Sequence, residues 1–128
     1  MKKNIISSGK FPVFGPYSAA VEVNGFIFIS GQIPVDPASG EIIDDIKNAT
    51  RQILANIQTI LKEAGLDMSS IVKTTIYLKS IADFPVVNET YATFFPQDPP
   101  ARSTVEVSAL PKGAPLEIEA IAVKNVLK

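Results

Sequence analysis

Asn24-Gly25-Phe26-Ile27-Phe28-Ile29-Ser30 and Leu116-Glu117-Ile118-Glu119-Ala120-Ile121-Ala122-Val123 are the two stretches whose reading decides the fold. Asn-Gly between strand-like runs is a hairpin signal, because both residues tolerate the positive φ of a tight turn. The run before it, residues 19 to 24 (AAVEVN), alternates weakly, whereas Phe26 to Ile29 is apolar at every position. A strand of that kind is expected to be covered on both faces. In the second stretch Glu117 and Glu119 are two apart and share one face, with Leu116, Ile118 and Ala120 on the other.

Working outward, the turn-rich segment GQIPVDPASGE (31 to 41) leads to Asp44 or Asp45 as the cap of a helix. Ile46, Ala49, Ile53, Ile57, Ile60 and Ala64 recur by threes and fours, Lys47, Asn48, Arg51, Gln58 and Lys62 form the solvated face, and Gly65 stops the helix. Residues 71 to 78 (IVKTTIYL) read as a strand. Residues 84 to 95 read as a second helix behind an Asp83 cap, with Pro85 tolerated in the first turn and Pro96, Pro99 and Pro100 ending it. STVEV (103 to 107) and LEIEAIAV (116 to 123) complete a β-β-α-β-α-β-β order.

Five or six strands make a sheet some 24 to 29 Å wide, and two helices of roughly 10 Å diameter cover little more than one face. The apolar residues on the second face therefore predict packing against sister subunits in a closed ring, the alternative being a monomer with one wet sheet face. No repeat, linker or low-complexity tract divides the 128 residues, so one continuous domain (1–128) is expected.

Composition narrows the chemistry. The chain is 46% hydrophobic and 20% charged, with 12 basic against 13 acidic residues, net charge -1, and neither Cys nor His. Thiol nucleophiles, zinc sites built on Cys or His, imidazole bases and Ser-His-Asp triads are excluded within one chain type. No positive field exists to gather phosphates, which argues against nucleic acid as a partner. The N-terminal MKKNIISSGKFP has only a two-residue apolar run, and no window approaches the roughly 18 apolar residues of a membrane span. The expectation is a cytoplasmic protein without a membrane partner.

Arg102, after the Pro99-Pro100 pair and at the entrance to a strand, reads either as a bidentate carboxylate clamp or as an ion-pair partner of a nearby acid. Glu117 and Glu119 read either as a proton-handling carboxylate with its neighbour or as ion-pair partners at a subunit seam. FGPYS (14 to 18) and SGQIP (30 to 34) supply Tyr17, Ser30 and Gly31: a stacking ring, a hydroxyl and a permissive backbone, or simply turns. Asp44 and Asp45 are more simply caps than ligands of a hard cation. No phosphate-binding glycine loop is present.

Together FGPYSAAV, ISGQIP, IVKTTIYL, DF-x-x-VN-x-x-Y (Asp83 to Tyr91), PARSTVEV and LP-x-x-x-x-x-EIEAIAV resemble the Rid family of reactive intermediate deaminases almost end to end. The resemblance implies an α+β, chorismate-mutase-like fold with one mixed sheet and two helices on one face. It implies a homotrimer with three pockets at the subunit clefts, and neither metal nor cofactor. Pocket residues would be Tyr17, Ser30, Gly31, Asn88, Arg102, Thr104 and Glu117, with Glu119 structural. Arg102 would hold a substrate carboxylate, Glu117 would position and activate water, and Tyr17 would pack on the short side chain of 2-iminobutanoate or 2-iminopropanoate. Hydrolysis would yield the 2-keto acid and ammonia. Thr104 stands where many members carry Cys, Ala19 where many carry Gln, and the Phe95 to Arg102 connection is shorter than in some relatives. Two other roles follow from the same resemblance: a non-enzymatic member that binds or senses a small carboxylate, and a ribonuclease or translation inhibitor. The charge balance and lack of His oppose the last.

Overall fold

A computed structural model describes residues 2–6 and 13–124. The N-terminal stretch read above for a leader lies partly outside these residues. The sheet has six strands, β1 (Asn4–Ile6), β2 (Ala20–Val23), β3 (Phe26–Gln32), β4 (Ile71–Leu78), β5 (Ala101–Glu106) and β6 (Leu116–Val123), in the order β1-β2-β3-β6-β4-β5. Only β4 and β5 are parallel; all other neighbours are antiparallel. The sequence pattern did not predict β1, because a three-residue strand next to lysines carries no periodicity of its own.

The hairpin forms as read: Asn24 (φ 52) and Gly25 (φ 84) both adopt the left-handed conformation that a two-residue turn demands. Helix α1 runs Ile46–Glu63, and the Asp45 carboxylate accepts from the Asn48 amide at 3.0 Å. Its end is a Schellman motif. The Leu66 amide donates to the Leu61 carbonyl (2.9 Å) and that of Gly65 to Lys62 (3.0 Å), with Gly65 at φ 76. Helix α2 is shorter than the pattern suggested, Phe84–Ala92, and Asp83 makes no side-chain cap. A 3₁₀ turn at Ile81–Asp83 leads into it instead, so the backbone already curls before the helix begins.

Both helices cover one sheet face. Ile53, Leu54, Ile57 and Leu61 of α1 and Val87 and Tyr91 of α2 pack with Ile27, Ile76, Ile118, Ala120 and Ala122. The Tyr91 hydroxyl shares a 2.7 Å hydrogen bond with Thr74 Oγ1, anchoring α2 to β4. The loop after β3 is pinned from beneath: buried Asn56 donates to the Val35 carbonyl at 3.0 Å and accepts from Gln52 at 2.8 Å.

The opposite face is bare in one chain. Phe26 and Phe28 alternate with buried Ile27 and Ile29, remain 46% and 45% exposed, and stack at 6.3 Å. The all-apolar run of β3 is thus covered by the helices on one side only. Val21 pairs with Phe28, and Ile121 lies across from Phe28 on β6, extending the apolar strip.

Candidate functional site

A bulge in β3 sets where the polar side chains beside it go. On β3 the register passes from Ile29 opposite Ala120 to Gln32 opposite Ile118, so Ser30 and Gly31 together face the single residue Glu119. That extra residue turns the end of β3 and brings the Gly31 backbone against Glu117. A β-carbon on Gly31 would stand 3.1 Å from Glu117 Cγ and overlap the carboxylate itself. Glycine is required here by a side chain, not by a turn.

Tyr17, Ser30, Gly31 and Glu117 line one open cleft of about 560 Å³, together with Phe14, Ile33, Pro111 and Lys112. Ser30 Oγ donates to the Ser18 carbonyl at 2.6 Å and the Ser30 amide to Ala19 at 2.9 Å. Its hydroxyl proton is therefore committed to holding the loop that carries Tyr17. The Phe14 amide in turn donates to the Tyr17 hydroxyl at 3.3 Å. Burial, and then the Glu119 carboxylate, push the Glu117 carboxyl above its ordinary range. Burial followed by Glu119 and Glu117 also raises the Tyr77 phenol, which lies across from Glu117 on β4. A half-buried acid that holds its proton more tightly than usual, next to open space, suits proton transfer.

Arg102 and Asn88 line a different pocket, of about 410 Å³, with Tyr91, Phe95, Pro99 and Pro100. The Arg102 guanidinium sits 4.9 Å from the Tyr91 ring centroid and 5.4 Å from that of Phe84. Among the described residues neither Arg102 nor either glutamate forms an ion pair, the one salt bridge being Lys124–Glu22 at 3.0 Å. Within the described residues the Arg102 guanidinium is held by aromatic faces rather than by a carboxylate. Strand β5 begins at Ala101, two residues before the pattern suggested, and Arg102 is its second residue.

The two pockets open on opposite faces of the sheet. Arg102 pairs with Thr74, which points to the helices, whereas Glu117 pairs with Tyr77, three residues further along β4 and on the bare face. Two strand spacings and three residues of rise separate their α-carbons by roughly 14 Å. The expected pocket set is thus not assembled within one chain: Tyr17, Ser30, Gly31 and Glu117 stand together, and Asn88 with Arg102 elsewhere. Thr104 lines neither cavity, and its Oγ1 is buried without a hydrogen-bond partner among the described residues. Glu119 is exposed beside the bulge.

Sequence reasoning did not single out Lys112. It lies in the first cleft at φ 57, followed by Gly113 at φ 68, with Nζ 4.4 Å from the Phe14 ring centroid. Its only sequence signal is a Lys-Gly pair inside a turn. Among the described residues no group of three or more His, Cys, Asp or Glu side chains gathers to hold a metal ion, and no helix is long and apolar enough to cross a membrane.

Comparison with known proteins supplies the context for this geometry. The chain is 46% identical over 127 residues to the human 2-iminobutanoate/2-iminopropanoate deaminase, covering 98% of this chain and 93% of that protein. A crystal structure of the Yersinia pestis Rid-family protein YyfA superposes with a TM-score of 0.92 at 48% identity, over 95% and 99% of the two chains. Escherichia coli TdcF with bound serine superposes with a TM-score of 0.90 at 42% identity, over 94% and 98%. The Endoribonuclease L-PSP family profile matches residues 8–124. With the same mixed sheet and helices as these structures and a match over nearly its whole length, the chain belongs to the Endoribonuclease L-PSP family, which the Rid deaminases share.

Proposed function

We propose that the protein is a cytoplasmic 2-imino acid deaminase, a single domain that hydrolyses 2-iminobutanoate and 2-iminopropanoate to 2-keto acids and ammonia. The observation that carries this reading is the division of the polar set. A guanidinium without an ion-pair partner among the described residues and a carboxylate of raised basicity stand on opposite sheet faces, so a second copy of the chain would bring one of each together. The bare apolar face around Phe26 and Phe28 supports the homotrimer that would do so, with each site at a subunit cleft. TdcF, a similar protein, has serine bound, which is a small molecule with the carboxylate that Arg102 is built to take.

In this reading Arg102 of one subunit holds the substrate carboxylate in two parallel hydrogen bonds, with Asn88 beside it. Glu117 of the neighbour accepts a proton from water as the oxygen bonds to the imine carbon. That proton passes to the nitrogen to give a carbinolamine, whose hydroxyl proton then moves through Glu117 to the same nitrogen, so that the C–N bond breaks and ammonia leaves as the C=O forms. The imine carbon is already electrophilic, so orientation and proton handling of about 10²-fold each suffice. Tyr17 packs on the short alkyl chain. Thr104, two residues from Arg102 on the same strand face, has its hydroxyl buried, so any contact it makes with the substrate is through its backbone. Against an RNA substrate stand the net charge of -1 and the absence of His.

The test generates 2-iminobutanoate from threonine with a dehydratase in the presence of semicarbazide. The protein is expected to divert flux from semicarbazone to free 2-ketobutanoate, and Arg102→Ala and Glu117→Ala to lose that ability while remaining oligomeric. No diversion at either imine by the wild-type protein would end the deaminase reading.

A further inference from the structure

Lys112 is out of place for its backbone. Left-handed φ costs a side chain with a β-carbon about 1 kcal/mol or more relative to glycine, and the turn at Pro111–Gly113 needs only a residue that tolerates it. The side chain is exposed and fills no core, so packing does not account for it. It is instead held over the Phe14 ring at 4.4 Å, on the wall of the cleft that contains Glu117.

Charge supplies the reason. Glu117 and Glu119 both stand on this sheet face, and an anion approaching them from solvent meets like charge. Lys112 is the one cationic side chain lining the cleft among the described residues. We propose that Lys112 is a specificity-determining residue that guides carboxylate-bearing substrates into the Glu117 cleft, its position fixed by the left-handed turn and the Phe14 ring. This rests on the imine-hydrolysis reading for the identity of the substrate, but not for the charge that is recognised.

The test is Lys112→Gly, which removes the charge while suiting the backbone, with Lys112→Arg as the rescue. At low ionic strength Lys112→Gly is expected to lower kcat/KM for 2-iminobutanoate about fivefold to tenfold, with kcat within about twofold of wild type and Tm equal or higher. The gap should close at about 0.5 M salt, where the Debye length is only a few ångströms, and Lys112→Arg should stay near wild type. A purely structural role predicts instead that stability and activity fall together and that salt is without effect. Binding of 2-oxobutanoate, followed by calorimetry at low and high salt, gives a readout independent of turnover. If the wild-type protein hydrolyses imines but Lys112→Gly matches it in kcat/KM and salt dependence, this inference fails and the deaminase reading stands. If the wild type hydrolyses none yet binds 2-oxobutanoate with an affinity that Lys112→Gly weakens, the deaminase reading fails and this inference stands. Neither hydrolysis nor binding by the wild type overturns both.

Discussion

The carboxylate of Glu117 occupies the space that a β-carbon on Gly31 would need. A bulge in β3 and an alternation in β6 meet at this point, so the cleft is built around one glycine and one acid rather than around a loop. The chemistry proposed for Glu117 therefore depends on a residue that carries no functional group.

Gly31→Ala is expected to displace the carboxylate and lower imine hydrolysis by about 10²-fold, the scale of losing a positioned proton-transfer group. Overpacking should cost about 1–3 kcal/mol. Adding Glu117→Ala removes the collision, so the double variant should recover much of the lost stability. A thermal-denaturation cycle should give a coupling above about 1 kcal/mol; additive effects would contradict the close approach.

Glu117→Gln should trade activity for stability. The folded state raises this carboxyl, mainly by burial, so the native protein favours its protonated form. Its contribution is fully present below the unfolded value and is lost as pH rises through the raised folded value. At pH 7 the neutral amide should therefore gain on the order of 0.5 kcal/mol, kept small because the group is half exposed and screened. Melting curves should show this advantage vanish as pH falls below about 4.5, while turnover at pH 7 drops at least about 10²-fold.

Mixing inactive variants tests the division of the site. If Arg102 and Glu117 act from neighbouring subunits of a cyclic trimer, co-refolded Arg102→Ala and Glu117→Ala chains should regain about one quarter of wild-type activity, the chance that an intact Glu117 meets an intact Arg102. Sites contained within one chain would regain none.

Phe28→Glu should break the assembly. The ring is stacked on Phe26 on the bare face, and a charge there opposes burial against a sister subunit. Light scattering should show the mass fall to that of one chain, with far-UV circular dichroism retained because the helix-facing core is untouched. Activity should disappear with the assembly; an active monomer would place the whole site in one subunit.

The pattern of side chains along the chain determined the local elements. The threes and fours of Ile53, Ile57 and Ile60 made α1, Asp45 and Gly65 bounded it, Asn24-Gly25 made the hairpin, and LEIEAIAV gave β6 to the residue. These signals are local, because a helix or a turn is decided by residues within a few positions. The weak spots were elements with too few residues to show a period, such as β1, and the start of α2, where a 3₁₀ turn replaced the Asp83 cap. Tyr17, Ser30, Gly31, Asn88, Arg102 and Glu117 were also singled out from residue type and from the family resemblance, whereas Lys112 was missed and Thr104 lines neither cavity. The arrangement of these residues was not legible. Whether Arg102 and Glu117 share a face depends on strand register and on where bulges fall, and each one-residue shift reverses every side chain beyond it. Only the tertiary structure placed Glu117 on Gly31, freed Arg102 from any carboxylate among the described residues, and set Lys112 over Phe14, because those contacts join segments far apart in sequence whose meeting no local pattern records.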